Sequence, residues 1–188
     1  MLTNPKLMPK TIALLRGINV GGHRIIKMAD LKKLMNGLGF KKVITYIQSG
    51  NILFDSPAKA KYDEIADRIK RGIQTQFGFD VPVVVLDAKK LEEAVAQNPF
   101  KDADLSQLHI TFLSEEPAVA KQNNIKTVDF TPDAFAIQGS FIFLKIDGSY
   151  HKTKFSNAFF EKKLDRTATT RNWKTVLKLL ELSKNELN

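Results

Sequence analysis

Cysteine is absent from this 188-residue chain, which excludes disulfide bonds, thiolate zinc sites, iron–sulfur clusters and cysteine nucleophiles. Long apolar runs are missing too. The longest, around residues 12–15 and 81–86, are far shorter than the roughly 18 residues that a membrane-spanning helix needs. The first ten residues, MLTNPKLMPK, contain no apolar core followed by a small-residue cleavage site. We therefore expect a soluble cytoplasmic protein with no membrane partner.

Acidic residues are outnumbered, with 29 Lys and Arg against 20 Asp and Glu and a net charge of +9. The excess lies at both ends of the chain: residues 1–55 carry 9 basic and 2 acidic side chains, and residues 149–188 carry 9 and 4. A fold that joined the two ends would form a positive surface able to attract a phosphate-bearing partner. The alternative is a basic surface that only keeps the protein soluble.

The chain otherwise has the composition of a folded globular protein, with 43% hydrophobic and 26% charged residues. Its first half predicts the element order β-α-β-β-α-β, which is the split βαβ of ferredoxin-like sandwiches. The strands are predicted from continuous apolar runs, and the helices from apolar residues at i, i+3, i+4 and i+7. The predicted strands are 11–15, 43–47, 52–54 and 81–86, and the apolar faces of the helices span 31–38 and 65–77.

The second half predicts a looser repeat of the same order. A helix at 91–96 connects the halves, a strand at 108–113 follows, and a hairpin turns at Gly139 and Ser140. A short strand at 167–170 and an extra helix beginning near Trp173 close the chain. We therefore predict an α/β (α+β) protein of two ferredoxin-like subdomains, residues 1–87 and 88–188, the second less regular.

Several motifs resemble those of a bacterial family of unknown function. They are ALLRGINVGG at 13–22, TYIQSGN at 45–51, FGFDVPV at 77–83 and TRNWKTVLKL at 170–179. The resemblance runs from about residue 11 to 182, with an amino-terminal extension of about ten residues and His23 in the glycine-rich loop as departures. It implies two ferredoxin-like subdomains in a cytoplasmic bacterial protein, and it implies no activity.

The loop between the first strand and the first helix is the main candidate site. Its glycines can adopt positive φ and expose N–H groups, and it leads into a helix N-terminus, where anions are favoured. The candidates there are Arg16, Gly17, Asn19, Gly21, Gly22 and Lys27. The spacing matches neither GxGxxG nor GxxxxGK[ST], which argues against a dinucleotide or P-loop site. The alternative is a tight turn that packs against the second subdomain.

Two further segments carry candidate residues. Arg171, Asn172 and Trp173 open the last helix, where a guanidinium, an amide and an indole could bind a phosphate and stack on a base. Alternatively, Asn172 caps the helix and Trp173 fills the seam between the subdomains. The weaker candidates are Gln48, Ser49, Asn51 and Lys154, the first three of which also fit an ordinary turn. If an anion binds, we expect the contact surface to join residues 16–22 to residues 171–173.

Residues for metal binding or nucleophilic catalysis are not predicted. The histidines at 23, 109 and 151 lack the i, i+4 spacing of a helical metal pair, and no GxSxG motif occurs. No cofactor is predicted either, and no catalytic residue or oligomeric state is assigned.

Three hypotheses about function remain open. The first is a module that binds an anionic ligand, such as nucleic acid, a nucleotide or another phosphorylated molecule, through the glycine-rich loop. Its strands lack the aromatic platform of RNA-binding ferredoxin-like domains. The second is a small enzyme acting on a phosphorylated metabolite, by analogy with acylphosphatases, in which Arg16 and Asn19 or Asn51 would act. The third is a non-catalytic interaction protein.

Overall fold

The computed structural model describes residues 10–57 and 60–184 of the chain. The first half folds into a four-stranded antiparallel sheet whose strand order is β2-β3-β1-β4. Its strands are β1 (Lys10–Leu15), β2 (Lys41–Tyr46), β3 (Asn51–Asp55) and β4 (Val83–Asp87). Helices α1 (Met28–Gly37) and α2 (Tyr62–Phe77) cover one face of this sheet.

The second half forms another antiparallel sheet, with the strand order β6-β7-β5-β8. Its strands are β5 (Leu108–Leu113), β6 (Ala134–Gln138), β7 (Phe141–Lys145) and β8 (Ala168–Asn172). The helices are α3 (Ala88–Ala96), α4 (Val119–Ile125), α5 (Asn157–Leu164) and α6 (Trp173–Lys184). The predicted fold class is confirmed: the protein is α+β, with two ferredoxin-like subdomains and an extra carboxy-terminal helix. In the described ranges no helix is long and apolar enough to cross a membrane.

Helix α2 shows how the sequence produces these elements. Ile65, Ile69 and Ile73 recur every four residues and are all buried, so they form the stripe that packs on the first sheet. Asp63 lies in the first turn, at the positive end of the helix dipole. Gly78 ends the helix with φ +75°, a left-handed conformation that glycine adopts without steric cost.

A shared apolar core joins the two subdomains. Helices α3 and α6 lie in the seam, by which we mean the layer between the two sheets. Ile12 and Leu14 reach this layer from the first sheet, Ile110 and Phe143 from the second, and Trp173 from α6. Burying a side chain of this size contributes about 1.5–3 kcal/mol. The seam is therefore mainly a packed apolar interior between the two sheets.

Strand pairing places the glycine-rich loop beside the β2–β3 turn. From the sequence, these two segments could have lain at opposite ends of the sheet. Because β1 and β3 are antiparallel and Leu14 pairs with Asn51, the end of β1 lies beside the start of β3. Both segments therefore project from the same end of the first sheet.

Most strand boundaries differ from the predictions by one or two residues, and two of these differences have a local explanation. Strand β4 begins at Val83 and not at residue 81, since Pro82 has no N–H to donate to the ladder, although Val81 is fully buried. Strand β8 continues to Asn172, where its last residue becomes the cap of α6.

Candidate functional site

The glycine-rich loop and the β2–β3 turn contact each other directly. The N–H of Leu15 donates to the carbonyl oxygen of Gly50 at 2.8 Å. The side-chain amide of Asn19 donates to the carbonyl oxygen of Gln48 at 2.9 Å. The two segments therefore form one corner of the molecule, and the third motif, around Arg171, reaches this corner from the second subdomain.

Arg171 lies in the seam and is only 8% exposed. All five guanidinium N–H groups donate to oxygen atoms of the protein. The acceptors are Asn51 Oδ1 (2.6 Å from Nε), Thr169 Oγ1 and the Thr170 carbonyl (both 2.9 Å from Nη1), and the carbonyls of Leu15 and Ser49 (2.6 and 3.1 Å from Nη2). Burial lowers the pKa of Arg171 to about 10, so the side chain stays cationic at neutral pH.

This arrangement corrects the expectation that Arg171 would contact an anion. Its side chain has no N–H left to offer, and it connects β8 to the corner of the first subdomain instead. Asn51 is fully buried and completes the connection, because its amide group donates to the Tyr46 carbonyl and to Ser49 Oγ, both at 3.0 Å. Hydrogen bonds therefore join the TRNW motif to the QSGN motif.

The structure also gives Asn172 and Trp173 internal roles. The N–H of Thr175 donates to Asn172 Oδ1 at 2.8 Å, which caps helix α6. Trp173 is 5% exposed and belongs to the shared core. Because the residue is almost wholly buried, Trp173 is not placed to stack on a base.

Arg16 is also engaged by the protein, although it remains partly exposed. Its Nη1 donates to the carbonyl oxygen of Ala168 at 3.0 Å and forms an ion pair with Glu161 at 2.5 Å. The same carboxylate accepts from the N–H of Ala168 at 3.0 Å. Together these side chains cover backbone groups on the free edge of β8, as proteins commonly do to protect an edge strand.

Asn19 holds the glycine-rich loop in shape. Its Oδ1 accepts from the N–H of Ile26 at 2.8 Å, and its amide donates back to the Ile26 carbonyl at 2.9 Å. Gly17, Gly21 and Gly22 all have positive φ, between +59° and +77°, so the chain turns tightly on either side of Asn19. The base of the loop is therefore held by hydrogen bonds of Asn19, and its tip, residues 20–25, is exposed.

Exposed aliphatic side chains are concentrated at this corner. Among the described residues, six large hydrophobic side chains are exposed, and three of them are Val20 (58%), Ile25 (56%) and Ile47 (48%). Ile47 precedes Gln48 in the turn that Asn19 contacts. We define the loop-tip surface as Val20, His23, Arg24, Ile25, Lys27 and Ile47. Sequence reasoning missed its aliphatic members, because apolar residues are ordinarily assigned to the core.

The cations of the loop-tip surface are not neutralised within the described part of the chain. Arg24 is exposed, its guanidinium lies against Gly17, and neither it nor Lys27 forms an ion pair or a side-chain hydrogen bond there. Arg24 and Ile47 both have φ +48°, in the left-handed region. That conformation is uncommon for any side chain and a true outlier for a β-branched one. Strained backbone of this kind clusters at functional sites.

The remaining candidates lie elsewhere or take part only through their backbone. Lys154 places its ammonium 5.3 Å from the centre of the Phe130 ring. The side chain of Gln48 is exposed, and its carbonyl is the group that Asn19 contacts. His109 stacks on Tyr150 with ring centres 4.8 Å apart, and burial lowers its pKa. No cluster of three metal-binding side chains occurs in the described ranges.

These features define a class: α+β proteins of two ferredoxin-like subdomains, with the glycine-rich loop of the first bonded to the last strand of the second. The chain belongs to the family described as "Protein of unknown function (DUF1697)", whose model matches residues 8–143. It is similar in structure to a conserved bacterial protein, SP0830, from Streptococcus pneumoniae. The two are 25% identical with a TM-score of 0.73, and the alignment covers 94% of this chain and 99% of that one. A search of curated proteins found no match.

Proposed function

We propose that this protein is a cytoplasmic module that binds single-stranded nucleic acid through the loop-tip surface. The observation that carries the proposal is the combination, at one corner, of exposed aliphatic side chains with cations that have no partner among the described residues. An exposed apolar patch rimmed by charge is typical of an interaction site. The net charge of +9 would attract a polyanion to the protein from a distance.

The two kinds of side chain suit the two parts of a nucleotide. Arg24 and Lys27 would contact phosphates, which supply most of the affinity in weak nucleic-acid binding. Val20, Ile25 and Ile47 would contact base faces, and bases are accessible on a single strand but stacked inside a duplex. Aliphatic contacts are less favourable than aromatic stacking, so we expect modest affinity and little sequence preference.

The hydrogen bonds of the corner argue against the acylphosphatase-like alternative. That reaction would need a free guanidinium and a free amide near the glycine-rich loop. In the described structure Arg16 is paired with Glu161, and the amide groups of Asn19 and Asn51 donate to protein oxygens. The proposal therefore rests on binding and assigns no reaction.

The test is fluorescence anisotropy with labelled oligothymidylate and oligouridylate of about 20 nucleotides, at salt concentrations from about 50 to 200 mM. We expect binding that weakens steeply with salt. The double variant Arg24→Ala/Lys27→Ala should lower the slope of log K against log salt by about 1.4, since each phosphate contact on a single strand contributes about 0.7. The variant Val20→Ser/Ile25→Ser should weaken binding with little change in that slope.

Arg71→Ala is the matched control. Arg71 is an exposed arginine on α2 and lies near Ser56, just beyond the end of β3 opposite the loop-tip surface. Its loss should leave the affinity within about twofold, as expected for a cation outside the site. Absent binding at low salt, or an equal effect of Arg71→Ala and Arg24→Ala, would contradict the proposal.

A further inference from the structure

A cavity of about 530 Å³ opens where β4 faces the second subdomain. Its apolar wall is formed by Val84 and Leu86 of β4 and by Phe112 and Phe141 of the second sheet. We call this cavity, together with the free edge of β4, the edge groove. It is separate from the loop-tip surface and shares no residue with it.

Strand β4 is the last strand of its sheet, and its outer edge carries unpaired backbone groups. The N–H of Arg16 donates to the Pro82 carbonyl at 3.0 Å, which makes these two residues a hydrogen-bonded pair of the β1–β4 ladder. Because pairing alternates along an antiparallel ladder, the N–H and C=O groups of Val83 and Val85 point away from β1. Within the described ranges, no backbone group pairs with Val85 on that side.

The charge around the edge groove is opposite to that of the whole protein. Glu93, Glu115 and Glu116 line it, and Lys90 is the one cation among its described lining residues. Glu115 also lies 3.5 Å from Arg166 and Glu93 lies 3.9 Å from Lys89, whereas Glu116 has no ion pair in the described structure. In a chain with a net charge of +9, this acidic rim selects for a partner that carries Lys or Arg.

We propose that the edge groove binds an extended, basic segment of a partner protein, which adds to the first sheet as a strand beside β4. Main-chain hydrogen bonds to Val85 would supply affinity, as in other cases of strand addition. Alternate side chains of the segment would point towards the apolar wall, and Lys or Arg of the segment would reach the glutamates at the rim of the groove. This proposal does not depend on nucleic-acid binding.

The test uses a fluorescein-labelled peptide, KVKVKVK, with anisotropy as the readout. Two altered peptides separate the contributions: EVEVEVE reverses the charge, and KVKVKVK with its central valine N-methylated loses one backbone donor. We expect each to bind at least tenfold more weakly than KVKVKVK. The variant Glu115→Gln/Glu116→Gln should weaken KVKVKVK binding to a similar extent, while Arg24→Ala/Lys27→Ala should leave it unchanged.

Val85→Pro tests the strand edge in the protein itself. Proline removes an N–H that points away from β1, so the ladder between β1 and β4 keeps its hydrogen bonds. Val85→Ala is the matched control, because it shortens the side chain and keeps the N–H. We expect Val85→Pro to weaken peptide binding at least tenfold and Val85→Ala to leave it within about twofold.

Each of several results would overturn the proposal. One is equal binding of KVKVKVK and EVEVEVE, and another is an unchanged affinity of the N-methylated peptide, which remains decisive if Val85→Pro does not fold. A third is sedimentation that shows self-association lost in Val85→Pro, which would assign the edge to a second copy of the chain.

Discussion

Replacing Arg171 by methionine should strongly destabilise the protein and leave the charged residues of the loop-tip surface unchanged. The substitution keeps an unbranched side chain in the seam and removes all five N–H donors. Two acceptors in fully buried positions, the Leu15 carbonyl and Asn51 Oδ1, then lose the donor that Arg171 supplied. Each buried acceptor left unsatisfied costs about 1–3 kcal/mol. We therefore expect the free energy of unfolding to fall by about 4 kcal/mol.

Urea denaturation followed by tryptophan fluorescence measures this effect directly. Trp173 is the single tryptophan of the chain, is buried, and lies two residues from Arg171. For a protein of this size, a loss of about 4 kcal/mol corresponds to a fall in Tm of roughly 8–16 °C. Arg24→Met is the matched control, because Arg24 is exposed, and it should change the stability by less than about 0.5 kcal/mol.

Arg171→Lys distinguishes the hydrogen-bond network from the positive charge alone. Lysine keeps the charge but offers three donors from one atom, so it cannot reproduce the planar fork that contacts both subdomains. We expect it to be nearly as destabilising as methionine. A loss below about 1 kcal/mol for Arg171→Met, or a lysine variant as stable as the original protein, would refute this reasoning.

Three further changes test other contacts. Gly50→Ala would place a Cβ 2.6 Å from the Cβ of Leu15 at a φ of +79°, and urea denaturation should show a loss of about 3 kcal/mol in the free energy of unfolding. Gly22→Ala is its control: a Cβ there would have no atom within 4 Å, so only the roughly 1 kcal/mol cost of the left-handed backbone is expected. Burial lowers the pKa of His109 in the folded state, so the unfolded chain takes up the proton first as the pH falls. The free energy of unfolding should therefore decrease as the pH drops below about 6.5, and His109→Gln should flatten this dependence between pH 7 and 5. Glu161→Ala removes the ion pair of Arg16 and the acceptor for the Ala168 N–H of β8. Thermal denaturation should therefore show a loss of about 1–2 kcal/mol, and an unchanged Tm would contradict this role for Glu161 at the edge.

Much of the fold was predictable because local patterns determine it. The four-residue spacing of Ile65, Ile69 and Ile73 predicts helix α2, and Gly78 predicts its end. Gly139 and Ser140 predict the hairpin between β6 and β7. The order of such elements then indicates a ferredoxin-like unit in each half. These features depend on residues within one turn or one hairpin of each other, so no knowledge of distant contacts was needed.

The candidate site was predicted less well, because the environment of a side chain depends on distant parts of the chain. Sequence alone placed the important residues in three motifs, and the structure brings those motifs together. Sequence alone could not separate the exposed residues of these motifs from the buried ones. Strand β8 reads ATTRN and has no alternation of apolar and polar residues, so nothing local indicates that Arg171 faces the seam.

What the sequence by itself determined was the set of elements and the charge excess, since both follow from composition and short-range periodicity. Tertiary structure decided which charges are free. The register of β8 against β5 turns Arg171 towards the first subdomain, where oxygens of Leu15, Ser49 and Asn51 accept its N–H groups. The tight loop around Asn19 turns Arg24 and Ile25 outwards. Register and loop geometry come from contacts between residues far apart in the chain, such as the 120 positions between Asn51 and Arg171, and only folding brings these residues into contact.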